Sequence, residues 1–245
     1  ELVDAYKSVQ QGLIHGGISN DVHVEIDWIS SERYEAGELA DQLEGSNGIL
    51  IPGGFGERGI EGMLMAIRLA RENELPFFGI CLGLQCAIIE FSRNVCGLGE
   101  ADSVEFSEAT TDPVICLMDS QLKVTTKGGT MRLGQYPANL RDGSRAADVY
   151  SQKEIRERHR HRYEVNNAYR ERLEENGLIM SGTSPDNNLV EVIEIPDHPW
   201  FIGCQFHPEL KSRPTRPHPL FSSFVGAALT HAKGLTSRAA GGVGE

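Results

Sequence analysis

Long hydrophobic runs are missing from this chain of 245 residues. No stretch approaches the ~20 consecutive apolar residues that a membrane-spanning helix needs, and no basic-then-apolar leader opens the sequence. A membrane span is therefore not predicted, and we expect a soluble protein in the cytoplasm.

Paired cysteine motifs are also missing. The five cysteines are odd in number and none belongs to a C-x-x-C pair, which argues against a disulfide scaffold and against a zinc knuckle. Most of them stand among apolar residues and are interpreted as small core side chains. A cysteine with a chemical role must therefore stand out by its local sequence. The five are Cys81, Cys86, Cys96, Cys116 and Cys204.

Basic residues are scarce relative to acidic ones, with 23 Lys and Arg against 35 Asp and Glu and a net charge of -12. Such a chain gains little from counterion release on a phosphate backbone, so nucleic acid is not predicted as its main partner. The hydrophobic fraction of 40% is enough to bury a substantial core.

Strand and helix signals alternate through roughly the first hundred residues, which predicts βαβ units and a mainly parallel sheet. An alternating run at 22–28 and two short apolar runs at 48–52 and 75–80 predict strands. Helices are predicted over 4–15, with Asp4 as N-cap, and over 59–73 and 84–94.

Shorter strands are predicted in the second half. Together the signals predict one α/β domain over residues 1–232, with an open, mainly parallel sheet flanked by helices and carrying antiparallel additions. The Gly-, Ser- and Ala-rich segment 233–245 is predicted to be a disordered tail. Because the sequence opens inside a pre-helix turn, we expect its first strand to lie upstream in a longer chain. The predicted strands are 114–118, 122–126, 131–136, 178–181, 189–195 and 200–206; a charged stretch, 152–162, precedes a predicted helix over 168–175, and a last helix is predicted over 220–232.

A strand-to-helix turn around Cys81 carries the most specific chemical signal. Residues Gly79-Ile80-Cys81-Leu82-Gly83 have the form G-x-nucleophile-x-G, in which the glycines allow a turn too tight for side chains. The turn exposes the sulfur at the edge of the sheet and places it at a helix N-terminus, where partial positive charge favours a thiolate. A buried structural cysteine is the alternative, but both glycines and the flanking elements favour a nucleophile.

A candidate base and its orienter lie far downstream in the string G-C-Q-F-H-P-E-L, residues 203–210. His207 and Glu209 are two residues apart, so on an extended chain they point to the same side. Pro208 is expected to stiffen that geometry and to exclude helix. A carboxylate beside an imidazole fixes its tautomer and leaves the other nitrogen free to take the thiol proton. Alone the string is a weak signal, but beside the Cys81 turn it predicts a Cys-His-Glu triad.

A glycine-rich loop, 52–59, precedes the Cys81 turn by one βα unit. Residues 54–59 match G-x-G-x-x-G, so a dinucleotide-binding loop is one interpretation, although a single match is weak. Pro52 and the extra Gly53 alter the tight turn of that motif. We expect instead that the N–H groups of Gly54 and Leu82 stabilise an oxyanion formed at Cys81.

These segments together resemble the class I (triad-type) glutamine amidotransferases, which release ammonia from glutamine. Four further strings, 52–62, 128–134, 158–167 and 211–221, are similar to the glutaminase domains of the CTP synthase branch of that family. The resemblance covers nearly the whole chain apart from the tail and implies a flavodoxin-like core. It also implies an upstream synthetase domain that uses ATP and Mg to aminate UTP to CTP, GTP as an activator, and a tetramer for the full-length protein.

The resemblance further implies how glutamine is held. Gln85 and Gly54 would hold the substrate, Glu105 would pair with its α-ammonium, and Arg162 would meet its α-carboxylate, for which a guanidinium fork is suited. Taken alone, Glu105 and Arg162 would more often be surface charges. The residues implied to bind glutamine are Gly54, Leu82, Gly83, Leu84, Gln85, Glu105 and Arg162.

Other interpretations stay open at this point. A cysteine peptidase, a γ-glutamyl hydrolase or another triad-type amidotransferase could share the fold, although the set Gln85, Glu105 and Arg162 suits free glutamine. A catalytically silent regulatory domain is a further alternative, against which the complete triad argues. His159 and His161 suggest a metal only superficially, because no partner cluster supports one, and no metal site is predicted.

Overall fold

The computed structural model describes residues 3–32, 36–117 and 131–241. No helix within these ranges is long and apolar enough to cross a membrane. The helices are α1 (Lys7–Ser19), which follows a 3-10 turn at Val3–Tyr6, α2 (Ala36–Leu43), α3 (Ile60–Glu72), α4 (Leu82–Asn94), α5 (Arg145–Tyr150), α6 (Arg170–Glu175) and α7 (Pro219–Gly241). The strands are β1 (Ile49–Ile51), β2 (Phe77–Ile80), β3 (Ala101–Ser103), β4 (Asp112–Cys116), β5 (Arg132–Leu140), β6 (Glu154–His161), β7 (Glu164–Val165), β8 (Ile179–Thr183), β9 (Val190–Glu194) and β10 (Phe201–Cys204).

Strands form one large sheet in the order β1-β2-β10-β9-β8-β5-β6 and a small one in the order β3-β4-β7. In the large sheet β2 pairs in parallel with β1 and with β10. The other neighbours in that sheet pair antiparallel. The predicted α/β fold, an open sheet flanked by helices with antiparallel additions, is therefore confirmed. The sheet, predicted to be mainly parallel, is mixed: β1, β2 and β10 are parallel, and the other four pairings are antiparallel.

The large sheet separates two hydrophobic cores. Neighbouring residues of a strand point to opposite faces, so Phe77 packs into one core with helices α3 and α4, and Phe78 packs into the other with α1 and α7. In the second core, aromatic rings pack edge to face. The centroid of the Phe78 ring lies 5.4 Å from that of Phe221 and 5.6 Å from that of Trp200. Two-sided burial explains why β2 and β10 read as short, continuous apolar runs.

The predicted strand at 22–28 is absent, because these residues pair with no strand in the described part of the chain. Its alternation has a real cause, since Val22, Val24 and Ile26 are partly buried against the core beneath α1 and α7. Alternating polarity reports one-sided burial, and here an extended segment lies on a core without joining a sheet.

The charged stretch 152–162 contains the strand β6, which charge had hidden. Alternate residues of β6 are buried, but those residues are Ile155, Glu157, His159 and His161, so three of the four inward side chains are polar. Hydrophobic periodicity cannot detect such a strand.

Three further predictions meet the described ranges differently. Residues 122–126 lie outside them. The first helix begins at Lys7, and its N-cap is Tyr6 without a side-chain hydrogen bond, so Asp4 is not its N-cap. Helix α7 continues to Gly241, past Lys233, where a disordered tail was predicted.

Close approach of α4 to the sheet depends on two glycines. A Cβ added at Gly83 would collide with the carbonyl of Ile51 in β1, and one at Gly79 would lie 2.7 Å from the Gly83 carbonyl. Backbone at these positions cannot move without shifting the helix or the strand.

We expect Gly83→Ala to lower the free energy of unfolding by about 1–3 kcal/mol, because overpacking against backbone forces the elements apart. Urea denaturation of both proteins measures the change. Gly99→Ala is the matched control, since a Cβ there meets no atom within 4 Å. Equal losses for the two variants would contradict the close-packing argument.

Candidate active site

Three parallel strands bring the predicted site residues to one edge of the large sheet. The loop 52–59 follows β1, Cys81 follows β2, and the segment 205–209 follows β10. Since β1, β2 and β10 are parallel neighbours, their carboxyl ends open onto the same edge, which is where open α/β sheets place their sites.

Cys81 occupies the tight turn between β2 and α4. Its backbone has φ 52° and ψ -99°, a region that residues other than glycine rarely adopt. Its N–H donates to the carbonyl of Cys204 at 2.7 Å, which ties the turn to β10. Cys81 is 3% exposed, so the prediction that the turn exposes its sulfur is wrong. As predicted, it stands at the N-terminus of α4.

His207 and Glu209 form a close pair beside Cys81. His207 Nδ1 lies 2.6 Å from Glu209 Oε1, and the His207 N–H donates to the carbonyl of Arg158 in β6 at 2.8 Å. The extended geometry predicted around Pro208 is wrong, because Pro208–Leu210 is a 3-10 turn with proline at its start. Proline fits there because the first N–H groups of a helical turn need no intrahelical acceptor.

The electrostatics of His207 depend on both neighbours. Burial lowers the pKa of His207, but hydrogen bonds to the Cys81 and Glu209 side chains, with the negative charges of both, raise it to about 10. The imidazole is therefore protonated at neutral pH, and the ring lies between the Cys81 sulfur and the Glu209 carboxylate, which faces Nδ1.

The glycine-rich loop packs directly on these residues. A Cβ at Gly53 would lie 2.8 Å from His207 Cε1 and 3.4 Å from Cys81 Cβ, and one at Gly54 would lie 3.0 Å from Leu82 Cδ2. Leu82 is the first residue of α4, so its N–H has no acceptor within the helix. Gly53 was not predicted as a site residue, and the doubled glycine was the available signal.

Gln85 is buried, and its amide is engaged within the protein. Its Nε2 donates to the carbonyl of Tyr163 at 3.1 Å and to Gln205 Oε1 at 3.2 Å. Gln205 in turn donates from Nε2 to Cys81 Sγ at 3.7 Å. Sequence reasoning missed Gln205, although it lies in the same string as His207.

The segment after Cys81 offers backbone rather than side chains. Leu84 is fully buried in the core, and its N–H donates to the Cys81 carbonyl at 3.1 Å. Gly83 packs against Ile51. Among the residues implied to bind glutamine here, Leu82 has the N–H nearest the open end of the helix.

Glu105 and Arg162 approach each other near the loop. Glu105 Oε1 accepts the Gly56 N–H at 3.0 Å. Burial raises the pKa of Glu105, while the Gly56 hydrogen bond and the charge of Arg162 oppose that rise. Arg162 also hydrogen-bonds the Tyr163 side chain. Both residues are therefore drawn toward the site rather than scattered on the surface.

A buried polar layer underlies the site. His159 Nδ1 and His161 Nε2 are 2.9 Å apart, and Arg132 bridges Glu164 at 3.3 Å and Glu191 at 2.8 Å. Burial, with the charge of Arg132, lowers the pKa of His159 to about 2 and that of His161 to about 3. Both imidazoles are thus neutral, and their contacts within this layer occupy ring nitrogens that a metal would need.

Comparison with known proteins gives a consistent result. Residues 1–227 match the family described as glutamine amidotransferase class-I. The chain is 58% identical over 232 residues to the CTP synthase of Syntrophus aciditrophicus, and 58% identical over 231 residues to that of Clostridium perfringens. These matches cover 95% and 94% of this chain but 43% of each relative, so the chain spans less than half the length of these curated relatives.

A solved structure is similar over nearly its whole length. The Trypanosoma brucei CTPS glutaminase domain with bound acivicin superposes with a TM-score of 0.87 at 40% identity, covering 93% of this chain and 89% of that one. The chain therefore belongs to the class I glutamine amidotransferase family, within the branch formed by the glutaminase domains of CTP synthases.

Proposed function

We infer that Cys81, His207 and Glu209 carry the glutaminase chemistry of this domain, as nucleophile, acid–base and orienter. The observation that carries this proposal is the position of His207, which hydrogen-bonds the Cys81 sulfur on one side and lies 2.6 Å from Glu209 Oε1 on the other. Its members follow two adjacent parallel strands, so the sheet itself holds them in register.

The proposed reaction begins with attack of the Cys81 sulfur on the carboxamide carbon of L-glutamine. The carbonyl oxygen becomes an oxyanion that accepts hydrogen bonds from the Gly54 and Leu82 N–H groups, a type of donor whose loss typically costs ~2.7–4 kcal/mol. His207 gives its proton to the departing nitrogen, which leaves as ammonia. Water then attacks the thioester with His207 as base, releasing glutamate and restoring the thiolate.

Substrate recognition is proposed to use opposite charges at the two ends of the α-amino acid. Glu105 pairs with the α-ammonium, and Arg162 meets the α-carboxylate. The side-chain N–H groups of Gln85 donate to Tyr163 and Gln205, so its side chain can offer the substrate only the amide oxygen. The backbone of residues 82–84 lines the remaining side of the substrate, beside Gly54.

For the whole protein we propose CTP formation from UTP, with ammonia passing to a synthetase domain in the same polypeptide. The share of 43% of the relatives' length leaves room for that domain. ATP and Mg would act there, GTP would activate, and the full-length protein would be a tetramer.

Exposed Arg156, Arg158 and Arg160 on β6 offer a cationic surface for a nucleotide. Five free cysteines suit the cytoplasm, where thiols stay reduced.

Intact mass after treatment with 6-diazo-5-oxo-norleucine tests the nucleophile and the substrate together. We expect one adduct on the wild type, blocked by excess glutamine and absent in Cys81→Ala, because the reagent resembles glutamine and needs the sulfur. Cys96→Ala is the control and should react as wild type does. An adduct that persists in Cys81→Ala would contradict the assignment.

His207 should titrate abnormally late, and Cys81→Ala should lower its pKa from about 10, because the hydrogen bond and charge of Cys81 are removed. Histidine ring signals in NMR titrations of both proteins measure this. The raised pKa stabilises the fold fully below pH ~6.5, and that stabilisation is lost as pH rises through about 10. An unchanged His207 titration in Cys81→Ala would show that the two side chains do not interact.

In the full-length protein, Cys81→Ala should abolish CTP formation from glutamine and retain it with ammonium chloride, because only the ammonia source is removed. Coupled assays with UTP, ATP and Mg, with and without GTP, measure both activities. Loss of the ammonia-dependent activity in a folded variant would argue against separate glutaminase and synthetase sites.

A further inference from the structure

A directed chain of hydrogen bonds leads from the backbone carbonyl of Tyr163, the residue before β7, to the sulfur of Cys81. Tyr163 offers its carbonyl to Gln85 Nε2 at 3.1 Å, and Gln85 Nε2 also donates to Gln205 Oε1 at 3.2 Å. Gln205 Nε2 completes the chain with a hydrogen bond to Cys81 Sγ at 3.7 Å. The chain therefore ends on the atom that attacks the substrate.

The direction of this chain is fixed by chemistry at its far end. A backbone carbonyl can only accept, so Gln85 must turn its NH2 group toward Tyr163. That same NH2 group faces Gln205, whose facing atom must then be the amide oxygen. If the Gln205 amide were turned around, its NH2 group would face the NH2 group of Gln85, and two donors would meet without an acceptor. Gln205 must therefore present its own NH2 group to the sulfur.

Burial makes the arrangement rigid. Gln85 is 3% exposed and Gln205 is fully buried, and a buried amide without partners is costly. The backbone N–H of Gln205 donates to the backbone carbonyl of Glu191 at 2.9 Å. The Tyr163 carbonyl is held from a second side by His161 Nδ1 at 3.1 Å. Neither end of the chain is free to rotate away.

We propose that Gln205 is a second hydrogen-bond donor to the Cys81 sulfur. Together with His207 it stabilises the sulfur as a thiolate, and Gln85 is the positioning residue that orients Gln205. This inference rests on the assignment of Cys81 as the nucleophile in the proposed function.

The donor acts at two points of the reaction. Before attack it stabilises the negative charge on sulfur. After water has added to the thioester, the carbon–sulfur bond breaks and its electron pair goes to sulfur, where the same donor stabilises the negative charge. Of the titratable side chains in the described residues, His207 hydrogen-bonds this sulfur, and the thiol of Cys204 at the end of β10 lies near it. Burial raises the pKa of Cys204 well above its ordinary value, so that thiol stays neutral.

Alkylation of Cys81 by iodoacetamide as a function of pH tests the donor without glutamine turnover. In Gln205→Met, which keeps the length and removes the donor, we expect the pH midpoint of alkylation to rise by about one to two units. The rate on the high-pH plateau should stay unchanged. Cys204→Ala is the matched control at the same strand end and should keep the wild-type midpoint. A wild-type midpoint in folded Gln205→Met would overturn the inference.

A measurement that leaves Gln205 intact covers the case in which Gln205→Met does not fold. The side-chain NH2 resonances of Gln205, in NMR spectra of wild type and Cys81→Ala, should differ clearly, because the hydrogen bond to sulfur is lost. Unchanged resonances would overturn the inference. The two proposals fail separately: a missing 6-diazo-5-oxo-norleucine adduct rejects the nucleophile, whereas a normal adduct with an unmoved midpoint rejects only the role of Gln205.

Discussion

The tight turn between β2 and α4 is the constraint on which the rest of the structure depends. Cys81 holds a strained backbone at φ 52°, and that strain persists only because the surroundings allow no alternative. Gly79 and Gly83 let helix and sheet meet without a Cβ between them. The 2.7 Å hydrogen bond from the Cys81 N–H to Cys204 then sets the position of β10, and through it of Gln205 and His207.

The charges buried beneath the turn also support the arrangement of Cys81, His207 and Glu209. A protonated His207 tolerates other imidazoles nearby only when they are neutral. Burial and the charge of Arg132 keep His159 and His161 neutral, so they add no positive charge beside His207, whose own charge faces Cys81 and Glu209. Arg132 is itself compensated by Glu164 and Glu191. An isolated buried ion would be costly, and the ion pairs of Arg132 with these two carboxylates reduce that cost.

The sequence allowed prediction of whatever local glycine patterns and apolar periodicity encode. The elements around Cys81, the loop 52–59 and the pairing of His207 with Glu209 could be foreseen, because tight turns require glycine and buried parallel strands require apolar runs. Strand β6 could not, since three of its four inward side chains are Glu157, His159 and His161, and partners such as Tyr150 and His218 lie on other parts of the fold. Gln205 escaped for the same reason: its contacts with Gln85 and Cys81 span more than a hundred residues of chain.

The loop that carries Gly54 is also tied to the proposed substrate site by a single carboxylate. Glu105 accepts the Gly56 N–H at 3.0 Å, and burial raises its pKa. Partial burial makes the carboxylate a better partner for an added cation, because a positive charge offsets the cost of its desolvation. In the complex proposed above, an α-ammonium beside Glu105 would favour the charged form of the carboxylate that holds the loop, and charge-assisted hydrogen bonds are stronger than neutral ones. In that proposed complex, binding of the α-ammonium would strengthen the hydrogen bond between Glu105 and the loop that carries Gly54.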